Sequence, residues 1–139
     1  MHEALTLLSG LEDEDLGWLL HAGDETTVES GTAVLTEGAI PDHLFVVLSG
    51  LIDIRTAATG DTQLARLGPG ELLGDISFLE QATATATAAA LEPTTLLAIA
   101  HTDLTSRLQA DPAFGARFYR SLAALNAQRL RERVGALGR

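Results

Sequence analysis

The apolar residues of this chain change period twice, and that change constrains the fold more than any single motif. From Thr26 to Ile99 the sequence falls into short β-prone runs separated by turn residues. "TTVES" precedes Gly31, "AVLTE" precedes Gly38, "LFVVLS" precedes Gly50, and "LIDIRTA" runs into the turn "ATGD". "TQLARL" leads to Gly68-Pro69-Gly70, and "ATATAAA" and "TTLLAIA" come later. Strands this short and closely spaced predict a sandwich, barrel or jelly roll.

On both sides of that segment the period is helical. "LEDEDLGWLLHAGD" has acids in its first turn, where the helix dipole favours them. Leu16, Leu19 and Leu20 recur at helical spacing and Gly23 ends the run. After Ala100, Thr102 or Asp103 is placed to cap a short helix through Leu108. Asp111-Pro112 then offers a capping acid followed by proline at the first helical position, opening a helix to about Val134. At 139 residues, with 46% hydrophobic content and 13 glycines, the chain reads as one globular domain over 1–139. Its parts are helical 1–23, β 24–100 and helical 101–139, with no internal repeat or low-complexity linker.

The last helix carries two apolar stripes. Phe114, Phe118, Leu122 and Leu125 fall on one side; Tyr119, Ala123, Ala127, Leu130, Val134 and Leu137 fall on another. One stripe can dock on the β body. The second predicts a homodimer contact at Tyr119, Ala123, Leu130 and Val134, with Asn126 at its margin; the plainer alternative is a frayed tail. Arg129, Arg131 and Arg133 are expected to stay mostly solvated or to meet acids of the body.

Composition narrows the function. The net charge of −10 hides an asymmetry: residues 1–100 hold sixteen acids and two arginines, and residues 101–139 seven arginines and three acids. The acidic body repels nucleic acid. The basic tail suits an acidic partner, though a solvated helix face is the plainer reading. No apolar run approaches a membrane span, the N-terminus does not read as a secretory signal, and the cytoplasm is the expected location. Without cysteine there is no disulfide, thiolate metal site or cysteine nucleophile. His2, His21, His43 and His101 show no helical metal spacing, Ser77 lies in no nucleophile elbow, and phosphate-loop and dinucleotide glycine patterns are absent. Glu71 and Asp75 form a carboxylate pair, but among 19 acids such a pair means little. An enzyme is the least supported class.

The remaining clue is "GPGELLGDISFLEQATATATAAA", Gly68 to Ala90: a glycine-rich turn, an acid and one helical turn, with no cationic side chain throughout. Gly74 lets the backbone approach a ligand closely. The amides of Ile76, Ser77 and Phe78 would point at an anion.

With "EGAIPDHLFVVLSGLIDI", whose Gly38, Asp42, Leu44, Phe45 and Gly50 match a first signature, this stretch resembles the cyclic nucleotide-binding domain family, in a stand-alone form. The resemblance covers nearly the whole chain. It implies an eight-stranded β-roll with helices at both ends, and a phosphate-binding cassette at Gly74, Asp75, Ile76, Ser77, Thr83, Ala84 and Thr85. It implies that Asp75 holds a ribose hydroxyl; the family's usual Glu is longer by about 1.5 Å. Where the family pairs an arginine with the cyclic phosphate, this chain has Ala84, and Ala82, Thr83 and Thr85 are uncharged as well. Two charge-assisted hydrogen bonds of roughly 1.5–3 kcal/mol each would be missing, or about two to four orders of magnitude in affinity. Arg66 is the nearest basic residue in sequence. A cyclic nucleotide is thus the implied ligand, bound weakly, and no other cofactor is implied. The family's transcription factors add a winged helix-turn-helix after the long helix; the chain ends at Arg139, so no direct nucleic-acid binding is expected. A small-molecule sensor and a dimeric interaction module with a vestigial pocket are the two functions to be separated.

Overall fold

The computed structural model describes residues 10–57, 60 and 62–137; the side chains of Thr62, Arg133, Val134, Ala136 and Leu137 are not among those described. His2 therefore lies outside the described residues.

The chain runs α1 (Asp13–Ala22), β1 (Asp24–Val28), β2 (Ala33–Leu35), β3 (His43–Ser49), β4 (Ile52–Thr56), β5 (Thr62–Leu67), β6 (Leu72–Leu73) and α2 (Asp75–Glu80). It continues with β7 (Thr87–Ala90), β8 (Thr94–Ala100), α3 (His101–Ala110) and α4 (Pro112–Leu137). The strands form two four-stranded sheets, ordered β1-β8-β3-β6 and β2-β7-β4-β5, and every pairing is antiparallel. This is the mainly β fold with flanking helices that the period change predicts, in the roll form that the resemblance implies.

Alternation decides which way each strand faces. Val47, Ile52, Leu73, Ala88, Ala90 and Leu96 turn into the space between the sheets. Leu44, Val46, Leu48, Leu97 and Ile99 face the other way, onto the helices, where they meet Leu16, Leu19, Phe114, Phe118 and Leu122. The first stripe of α4 is therefore the docking stripe. Each of its buried side chains contributes about 1.5–3 kcal/mol of apolar burial. Phe114 and Phe118 stack at 5.6 Å, and Trp18 of α1 meets Phe114 edge-on.

Three sequence expectations need correction at the level of local structure. The short helix is capped by neither Thr102 nor Asp103: it starts at His101, its N-cap is Ala100, and no side chain caps it. The long helix continues beyond Val134, to Leu137. Of "ATATAAA", only Thr87–Ala90 is strand. Ala84 instead exchanges backbone bonds with the loop before β3, its amide donating to the Ala39 carbonyl and its carbonyl accepting from Gly38. Strand β6 is too short for any periodic signal. Asp111 does cap α4, accepting from the Phe114 amide at 3.1 Å.

An ion pair ties the two ends of the chain together. Asp15 of α1 is 1% exposed and takes two hydrogen bonds from Arg117 of α4, at 2.7 and 2.9 Å. It also accepts from the Glu12 amide. The Arg117 hydrogen bonds hold the Asp15 carboxyl below its ordinary value of 3.8, against the opposing effect of burial. Desolvation, with His43 nearby, pushes His101 below its ordinary 6.5. Both groups bind fewer protons folded than unfolded, so both destabilise the fold as pH falls. The His101 contribution begins to be lost below about pH 6.5 and the Asp15 contribution below about pH 4. Urea midpoints at pH 7, 5.5 and 3.5 are expected to fall in two steps. Asp15→Asn should lower stability at pH 7 and reduce the second step, to which Asp42 and Asp53, also held below 3.8, contribute as well; a second step of unchanged size would refute the assignment.

Candidate ligand-binding site

The site forms where α2 breaks out of the roll. Gly74, at φ +82°, is the N-cap of α2, and a Cβ there would stand 3.3 Å from the His43 carbonyl oxygen. The positive φ turns the chain from β6 into the helical turn, and the close approach keeps the turn against β3. Asp75 follows at once and is 4% exposed.

Around this turn lies a cavity of about 190 Å³. Its walls are apolar: Leu35 from β2, Ile54 from β4, Ala65 and Leu67 from β5, and Ala88 from β7. Its polar edge is Asp75, Ser77 and Thr85, and Ala84 completes it. Six of the seven cassette residues proposed from sequence, Gly74, Asp75, Ile76, Ser77, Ala84 and Thr85, thus line one cavity. Thr83 does not line it; its carbonyl accepts from the Ser77 hydroxyl at 3.3 Å. The amide of Phe78 is not free for an anion, because it donates to the Gly74 carbonyl at 3.0 Å inside the turn.

The cation comes from elsewhere. Arg129 of α4 lines the cavity, 3.3 Å from Asp75 and 3.5 Å from Glu71, and donates to the Leu72 carbonyl at 3.0 Å. Asn126, one turn earlier, donates to the same Asp75 oxygen at 3.0 Å. The Asn126 side chain is therefore turned toward the cassette. Arg129 takes the second of the two expected courses and meets acids of the body; Arg131 is exposed. Arg66, the nearest basic residue in sequence, is exposed and lies outside the cavity lining. Sequence reasoning missed Arg129 as a lining residue, although the signal was present. At 100° per residue it lies about 60° from Phe114, inside the roughly 80° arc from Phe114 to Leu122. A cation on a docking face must meet acceptors of the body.

Among the described residues the second stripe stays largely exposed, Tyr119 meeting only the edge of Phe118. Tyr119 and Leu130 are 47% and 63% exposed, and Ala123 and Ala127 are exposed between them. Val134 lies on the same helix, with its side chain outside those described.

The chain is similar to known proteins over nearly its whole length. It is 34% identical over 128 residues to the cyclic AMP receptor protein of Thermus thermophilus, a match covering 91% of this chain and 57% of that protein. The chain thus spans little more than half of that curated relative. A solved N-terminal domain of a transcriptional regulator from Streptomyces coelicolor is 33% identical, with a TM-score of 0.76, covering 98% of this chain and 95% of that one. A cyclic nucleotide-binding domain from Methylobacillus flagellatus superimposes with a TM-score of 0.83 at 22% identity, over 94% and 78% of the two chains, and shows the shared fold. The sequence profile of the cyclic nucleotide-binding domain matches residues 25–111, from β1 to the end of α3, and so takes in both sheets and the whole cassette; the chain belongs to the cyclic nucleotide-binding domain family.

Proposed function

We propose that the chain is a regulatory sensor domain, one domain over 1–139, whose pocket binds cyclic nucleotides weakly or takes an altered ligand. The observation that carries this reading is Ala84. It sits 5% exposed at the cavity edge, in the place where the family's phosphate-pairing arginine is expected. The acceptor expected to hold a ribose hydroxyl, Asp75, already takes donors from Asn126 and Arg129. A ligand must displace or share them, which lowers its net gain. The domain does no chemistry in this reading, and it contacts neither nucleic acid nor membrane directly. Among the described residues no helix is long and apolar enough to cross a membrane.

The test is a thermal-shift screen of cyclic AMP, cyclic GMP and other small metabolites. A ligand bound only to the folded state at 100 times its dissociation constant adds about 2.7 kcal/mol of stability. A shift with a metabolite and little with cyclic AMP supports the sensor with an altered ligand. A large shift with micromolar cyclic AMP would overturn the weak-binding reading.

The exposed second stripe of α4 supports a companion reading, a homodimer through Tyr119, Ala123, Leu130 and Val134. The small alanines let two helices approach closely, and Leu130 is among the most exposed large apolar side chains. The same surface would serve a ligand-independent interaction module with a vestigial pocket. Light scattering is expected to give twice the 14.6 kDa chain mass. Leu130→Asp should return it to one chain. A monomer at tens of micromolar, above the roughly micromolar range of transient pairs, would remove the dimer from both readings.

A further inference from the structure

The charges around the cavity determine what kind of ligand it can take. Asp75 and Glu71 are both within ion-pair distance of Arg129, the one cation lining the cavity among the described residues. The group carries one net negative charge before any ligand arrives. A phosphate anion would add another, and the guanidinium it needs is already engaged by two carboxylates and a carbonyl. Like charges brought together with so little compensation repel, the more so in a site partly closed to water.

The polar groups left over have a different complement. Asp75 is an acceptor whose present donors come from α4, and it can take a hydroxyl proton. The Nε of Arg129 is buried with no partner, an unsatisfied donor that an oxygen lone pair can reach once the guanidinium shifts. A hydroxyl pair supplies both: one O–H donates to Asp75, and the neighbouring oxygen accepts from Arg129. Leu35, Ile54, Ala65, Leu67 and Ala88 offer only apolar contact, and Ser77 and Thr85 add neutral hydroxyls at the polar edge.

We infer that the pocket selects an uncharged ligand with a vicinal diol on an apolar or aromatic body, a nucleoside type of molecule, and that the Asp75–Glu71–Arg129 group rejects cyclic phosphates. The inference rests on the sensor reading above and adds the class of ligand. Arg129 is then the residue that sets specificity. It balances the acids well enough for a neutral diol and too little for an anion.

Adenosine, cyclic AMP and 2′,3′-dideoxyadenosine serve as probes, titrated by calorimetry against the full chain. Adenosine is expected to bind at least tenfold tighter than either of the others. Glu71→Gln, which removes one negative charge beside Arg129 and leaves the backbone of Glu71 in place, should narrow the gap between adenosine and cyclic AMP severalfold. Cyclic AMP affinity should rise by more than adenosine affinity changes. Circular dichroism of the variant checks that it folds. Cyclic AMP binding as tightly as adenosine would overturn the inference and leave a ligand-binding sensor standing. Equal binding of adenosine and the dideoxy compound would overturn the diol requirement. Binding of none of the three would overturn the inference and favour the ligand-independent module. An unchanged gap in Glu71→Gln would remove the carboxylate–guanidinium group as the cause of selectivity.

Discussion

Gly50→Ala is expected to destabilise the fold by about 3–5 kcal/mol, although the substitution adds a single methyl group. Gly50 joins β3 to β4 at φ +102°, a conformation that costs an L-residue of order 1–3 kcal/mol. A Cβ there would stand 2.4 Å from the Thr94 hydroxyl, 2.7 Å from the Thr94 Cα and 2.8 Å from the Pro93 carbonyl oxygen. Two of those atoms are backbone and cannot step aside as a side chain would, so overpacking adds roughly 1–3 kcal/mol. The neighbour is also fully buried. The Thr94 hydroxyl donates toward the Glu92 carbonyl and accepts from the Leu51 amide, so moving it breaks the junction of the two sheets. Urea unfolding should show a lower midpoint with little change of slope. A loss below 1 kcal/mol would mean that β8 can shift at Thr94, and the tight crossing would then not be a structural requirement.

Gly50 was legible in the sequence as a turn after "LFVVLS", because glycine punctuation and strand alternation are local signals. The same holds for the docking stripe of α4 and for the helical turn opened by Gly74 and Asp75. What was not legible depends on how distant segments meet. The strand at Leu72–Leu73 exists because β3 pairs with it, Phe45 opposite Leu73 and Val46 opposite Leu72. The N-terminus of α3 has Ala100 as its N-cap and no capping side chain, and its first amide, that of His101, donates to the Asp42 carbonyl across the β3–β8 pairing. Arg129 is 54 residues from Asp75, and their meeting depends on the rotation of α4, which Phe114, Phe118 and Leu122 fix by burial. The sequence holds the cue, a cation in the middle of an apolar arc. Naming its acceptors required the fold.

Ala84→Arg is expected to raise affinity for cyclic AMP by about two to four orders of magnitude, before the ordering of a long side chain is deducted. That deduction is about 1.5–2 kcal/mol, or roughly one order. The site is prepared for the change. The Ala84 backbone is held on both sides by Ala39 and Gly38, so the new side chain can be added without moving its anchor. The side chain would start from the cavity edge, beside Thr85 and opposite Asp75 and Ser77. A second arginine would also bring the local charge from −1 to neutral, which removes part of the repulsion of an arriving phosphate. The ribose contact gives an independent check. In the Ala84→Arg background, Asp75→Ala removes a charged hydrogen bond worth roughly 1.5–3 kcal/mol, which should weaken adenosine binding about tenfold or more and the gained cyclic AMP binding by less. It would also release Asn126 and Arg129 from the cassette, which favours binding of an anion by Arg129. The two effects oppose each other for cyclic AMP, whereas adenosine, which carries no phosphate, should show only the loss. Calorimetry on the parent chain, the single variant and the double variant separates them. If Ala84→Arg folds normally and still binds no cyclic nucleotide, the cassette backbone has diverged together with its cation, and the pocket is vestigial. If the parent chain already binds cyclic AMP below micromolar, Arg129 has left its two acids to meet the phosphate, and Arg129→Leu should abolish that binding.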